Sequence, residues 1–169
     1  MSKFVSSLIF TIALFVLAPA AAFATELKDL PKEIAVPGAS VVASVQATGA
    51  QIYACSKNAK GSLEWTFREP VASLFQDGKT IGRHFVGPTW EFSDSTYVLG
   101  KAAGKAPGKT VRDVPLLKLV VAEPAKAGPV AGATAILRID TRGGAFEGAC
   151  AQEGELHAEP YAAIYVFVK

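Results

Sequence analysis

The chain is short of the residues and motifs from which enzymatic chemistry is usually read. Its 169 residues include only two cysteines and two histidines, and the formal net charge is only +2. There is no G-x-S-x-G elbow, phosphate-binding glycine loop, dinucleotide fingerprint or H-E-x-x-H helix, which removes the commonest hydrolase, nucleotide and zinc-protease readings. His84 and His157 lie far from each other and show no ligand spacing with the cysteines, so neither a metal site nor a cofactor is expected. The balanced charge also argues against a nucleic-acid partner, which would call for a concentrated basic stripe.

Long helical patterns are missing too. Ten prolines and 15 glycines interrupt the chain, and no long window keeps a helical apolar period without one of them. An apolar run does stand at the N-terminus, Phe4 to Leu17, preceded by Lys3 and followed by small residues ending Ala22-Phe23-Ala24. That order is the order of a secretory signal peptide, and a run of about 14 residues is shorter than the roughly 20 of a stable membrane span. Cleavage is expected after Ala24, with a retained anchor as the alternative. Export to the periplasm or the extracellular space follows, with no transmembrane segment left after cleavage.

In an oxidising compartment Cys55 and Cys150 are expected to form a disulfide. Such a bridge closes a loop of about 95 residues, which the chain-entropy model makes worth about 4–5 kcal/mol. Two buried free thiols, or a metal pair, are the alternatives.

What is present is strand-like. Val41, Ala43, Val45 and Ala47 alternate with Val42, Ser44 and Gln46, and Leu63, Trp65 and Phe67 alternate with Glu64, Thr66 and Arg68. Further strands are expected at 51–55, 72–75, 80–86, 89–92, 97–101, 116–121, 133–141 and 162–168, while a short helix competes over 113–123. Turn signals separate them, among them Thr48-Gly49, Asp77-Gly78, Gly87-Pro88 and Gly143-Gly144. The last strand is apolar on both faces, so it is expected to be central or covered. The predicted organisation is a signal peptide over 1–24, an exposed lead-in over 25–35, and one all-β domain over 36–169. That domain is an antiparallel barrel or sandwich of about 8–10 short strands. An outer-membrane barrel fits poorly, because it needs strands of about 9–11 residues with aromatic girdles.

The densest group of unusual residues is Asp77 to Glu91. A hairpin there would gather His84, Trp90 and Glu91, and a histidine beside a carboxylate is a general acid–base pair. His84 and Glu91 are therefore the candidate catalytic residues, although no nucleophile motif adjoins them. The blander account makes His84 a hydrogen-bonded packing residue and Glu91 a solvated one. His84, Trp90, Arg83 and Tyr53 are the candidate ligand contacts, since rigid aromatic rings suit an apolar or sugar pocket. At strand spacing the same rings also suit a core.

Several motifs recur in a familiar order: Val36-Pro37-Gly38, Tyr53-Ala-Cys55, Trp65-Thr-Phe67, Ala72-Ser-Leu74-Phe75, and Gly82-Arg-His84-Phe-Val-Gly-Pro-Thr-Trp90-Glu91. Leu116-Leu-Lys118 after Pro115, Ile136 to Thr141 before Gly143-Gly144, Cys150 and Pro160-Tyr161 continue it. The chain resembles the exported family catalogued as domain of unknown function 3455, departing from its pattern at Leu116 and Phe146. The resemblance implies one exported domain and no assigned activity.

Three functions are in play. The first is a non-catalytic module that binds a small ligand or a cell-surface polymer near His84 and Trp90. The second is a small hydrolase or lyase using His84 with Glu91, and the third is an envelope structural or interaction protein.

Overall fold

Alternating apolar residues build eight antiparallel strands that pair in chain order and close on themselves, β1 against β8. The structure, a computed structural model, describes residues 27–169, so the segment assigned as a signal peptide lies outside the described residues. The strands are β1 Val41–Lys57, β2 Leu63–Gln76, β3 Lys79–Phe85, β4 Thr89–Phe92, β5 Tyr97–Ala106, β6 Leu116–Glu123, β7 Ala135–Gly143 and β8 Leu156–Val168. Of the barrel and the sandwich, closure selects the barrel, which leaves no sheet edge open.

The eight strands fall within the expected 8–10, but several are longer than expected. Thr48-Gly49 is no turn, because β1 runs through it for 17 residues. A Cβ at Gly49 would stand 2.1 Å from the Val71 carbonyl oxygen, so this glycine marks a close approach of β1 to β2 rather than a reversal. The expected strands at 63–67 and 72–75 are likewise one strand, β2. Pro70 is tolerated inside it next to a bulge, where Ile52 pairs with Glu69 and Tyr53 with Phe67, leaving Arg68 as the extra residue. The segment where a helix competed is a loop followed by β6.

Inward-facing residues form one core that includes Val45, Leu74, Trp90, Phe92, Leu119, Ile136, Tyr165 and Phe167. Full burial of each large apolar side chain stabilises the fold by about 1.5–3 kcal/mol relative to exposure. The end of the barrel that carries the β2–β3 and β4–β5 turns is sealed, with Val130 and Ala133 of the β6–β7 connection joining Leu74, Phe92 and Phe167. An apolar interior is the reverse of the polar lumen of an outer-membrane barrel. Among the described residues no helix is long and apolar enough to cross a membrane.

The stretch expected to be an exposed lead-in is partly buried. After a single 3-10 turn, Leu27–Asp29, the chain lays the fully buried Ile34 against Leu137, Val166 and Val168, with Leu30 and Val36 packed beside it. The physical reason is the two-faced apolarity of β7 and β8. Ile136 and Phe167 fill the barrel while Leu137 and Val166 point outward, and that outer face needs a cover. Gly104 of β5 lets the strap come close, since a Cβ there would stand 2.1 Å from the Glu33 carbonyl oxygen. Paired backbone bonds between Ser40 and Lys169, at 2.9 and 3.0 Å, tie the strap to the end of β8.

Cys55 and Cys150 are bridged, with a Cα–Cα separation of 5.8 Å, and no free cysteine stands among the described residues. The bridge pins the long β7–β8 connection to the end of β1.

Candidate functional site

The second end of the barrel, where β3 turns into β4, is open. Strand register decides what lies there. His84 pairs with Trp90 and Arg83 with Glu91, so His84 and Trp90 point inward while Arg83 and Glu91 point outward. Directly opposite residues of an antiparallel pair share a face, and each step along the strand reverses it. The structure therefore does not bring His84 and Glu91 together as an acid–base pair. Glu91 instead forms an ion pair with Arg83, whose guanidinium lies 4.8 Å above the Phe85 ring on the outer surface.

His84 and Trp90 stack, with ring centroids 4.3 Å apart and planes inclined by 14°, and Tyr165 of β8 meets both rings edge-on at 4.9 and 5.1 Å. His84 Nδ1 lies 2.8 Å from the Thr89 carbonyl oxygen. A carbonyl only accepts, so this nitrogen carries the hydrogen and the neutral ring keeps Nε2 as an acceptor. Burial lowers the His84 pKa to about 4; the Thr89 bond opposes the shift and the nearby Arg138 adds to it. At neutral pH the ring is uncharged.

Above this group lies a cavity of about 470 Å³. Phe67 and Pro70 of β2, Val86 and Pro88 of the β3–β4 turn, Ala102 of β5, and Leu117 and Leu119 of β6 form its walls, with Arg68 among the residues lining it. His84, Trp90, Tyr165 and Arg138 complete the lining from the barrel interior. The lining includes no serine, threonine, cysteine, lysine or carboxylate side chain. His84 thus meets no carboxylate partner within the cavity lining.

Arg138 is the residue that sequence reasoning missed. It is 8 % exposed and directs Nε and Nη2 to the Pro115 carbonyl oxygen at 3.1 and 2.9 Å. No ion pair to it occurs among the described residues. Its signal was in the sequence, as the one charged residue inside the apolar run Ala135-Ile-Leu-Arg-Ile139. Tyr165 was readable only as one of several strand aromatics. Burial raises the pKa of its hydroxyl, which stays protonated.

Tyr53, also a candidate contact, is not part of the cavity lining. Its hydroxyl donates to the Gly144 carbonyl oxygen at 2.7 Å and accepts from the Phe146 N–H at 3.2 Å, holding the start of the β7–β8 connection. Phe146 fills the space between Tyr53, Trp65 and His157 and stacks on the His157 ring at 3.8 Å. His157 is the histidine that meets a carboxylate, Glu159 at 2.9 Å, yet both are partly exposed and neither lines the cavity. Among the described residues no group of three or more histidine, cysteine or acidic side chains is placed to hold a metal.

A sequence model of the family described as "Protein of unknown function (DUF3455)" matches residues 36–169. No curated protein and no solved structure matches the chain.

Proposed function

The chain belongs to the DUF3455 family, and since that family is described as being of unknown function, we propose from the geometry that the protein is an exported, non-catalytic binding module that holds a small apolar ligand in the open end of its barrel. The observation that carries this reading is the cavity of about 470 Å³, apolar in its walls and furnished with His84, Arg138 and Tyr165. Volumes of about 300–1,000 Å³ with a few convergent polar groups are typical of small-molecule sites, and eight-stranded barrels are of a size to hold one such ligand. The interior beyond Trp90 and Phe167 is filled, which favours a small molecule that ends inside the barrel over a polymer that passes along it. Export rests on the N-terminal segment and is compatible with the Cys55–Cys150 bridge.

The outward turn of Glu91 weighs against the hydrolase or lyase reading. Binding is tested by titrating the protein with Nile red, a neutral dye whose emission shifts on entering an apolar site. A saturable blue shift is expected, largely lost in Ala102→Trp, in which the exposed alanine at the cavity wall becomes a bulky plug. A signal that does not saturate, or one untouched by the plug, would overturn the proposal.

A further inference from the structure

Resting on the reading of the cavity as a ligand site, we propose that its ligand is an apolar monocarboxylate whose anionic head meets Arg138 while its hydrocarbon body lies along Phe67, Leu117 and Leu119. Charge complementarity supports this. The lining holds two guanidinium groups, Arg68 and Arg138, and no acidic side chain. Arg68 is exposed and pairs with Glu69 at 3.1 Å. Arg138 is buried and has no acidic partner among the described residues.

Removing a guanidinium from water without an opposite charge is costly, and a fold keeps such a group where something repays the cost. The Pro115 carbonyl oxygen engages two of the five N–H donors of Arg138. The donors left over suit a carboxylate, whose two oxygens match the planar fork of an arginine. The buried Tyr165 hydroxyl is already held by Arg138 and lies 3.4 Å from the Tyr161 hydroxyl, so the head group is left to Arg138. His84, uncharged and tied to Thr89, contributes a flat apolar surface through its stack on Trp90. A cationic head would face Arg138 with no carboxylate to receive it. A neutral head would leave the guanidinium uncompensated.

The test uses three probes of equal chain length, dodecanoate, dodecan-1-ol and dodecylamine, titrated below their aggregation concentrations and followed by calorimetry. Dodecanoate is expected to bind about tenfold or more tightly than the alcohol, the range of a charge-assisted hydrogen bond, with the amine weakest. In Arg138→Gln the carboxylate should fall to the level of the alcohol, whereas Arg138→Lys should keep part of the preference. If Arg138→Gln does not fold, as a melt would show, the order of the three probes on the unaltered protein decides. Equal or tighter binding of the alcohol overturns the carboxylate assignment, as does a preference that survives in a folded Arg138→Gln. Nile red separates the two levels. Saturable dye binding without carboxylate preference sinks only this inference, while loss of both dye and probe binding sinks the cavity reading beneath it.

Discussion

The two ends of the barrel are held by different physics. At the sealed end Leu74, Phe92, Val130 and Phe167 pack with almost no exposed surface, and the non-directional removal of apolar area from water holds them together. At the open end the chain relies on specific attachments. The Cys55–Cys150 bridge, the Tyr53 hydroxyl on Gly144, the Asp113 carboxylate accepting from the Gly143 N–H at 2.6 Å and the Arg138 bonds to Pro115 each fix one piece of loop. A barrel that packed both ends with side chains would leave no room for a ligand. Exchanging packing for covalent and polar ties keeps one end hollow without letting it collapse.

Breaking the ties should therefore cost the open end most. Replacing both cysteines, Cys55→Ser with Cys150→Ser, is expected to lower stability by about 4–5 kcal/mol, since the bridge spans 95 residues of sequence. The shift in urea midpoint measures it, and a loss below about 1 kcal/mol would mean that the loop is held well enough by Tyr53 and its neighbours. Phe167→Ala at the sealed end should cost about 3–5 kcal/mol through lost burial and the cavity left behind. The same urea titration, with Nile red affinity measured alongside, would show whether damage at one end reaches the other.

His84 lies at the boundary between the two ends and gives a smaller, pH-dependent effect. Its pKa of about 4 in the folded chain is below the ordinary value of 6.5, so the unfolded chain takes up the proton first. Stability contributed by the neutral ring is complete above about pH 6.5, falls as pH drops toward 4, and levels off below that. The total is about 3 kcal/mol by linkage. Melts between pH 7 and 4 should show this slope in the parent protein and lose it in His84→Gln; an unchanged slope would assign the effect to other groups. Ala102→Trp comes last. It is expected to change stability by no more than about 0.5 kcal/mol while blocking the cavity.

Much of this was legible in the chain. Alternation over Val41 to Ala47, turn chemistry at Asp77-Gly78 and the pair of cysteines led to an all-β domain with one bridge. The apolarity of both faces of β8 announced a covered strand. Strand ends were less legible, because Gly49 and Pro70 look like punctuation in sequence and serve inside strands as a close approach and a bulge. The candidate site was half visible. His84 and Trp90 could be placed in one hairpin by their spacing. Whether Glu91 joined them turned on a single residue of register, and a one-residue difference sends a side chain to the opposite face.

The sequence by itself determined the local preferences: extended segments of period two, their reversals, the cysteine pair and the apolar excess on β7 and β8. These depend on neighbours in the chain, so they can be read along it. Only the tertiary structure decided that the sheet closes, that 27–40 straps its outer wall, and that Arg138 of β7 joins His84, Trp90 and Tyr165 around one cavity. Those facts depend on which strands meet after closure. The charge at position 138 comes to line a hollow only once the barrel has closed.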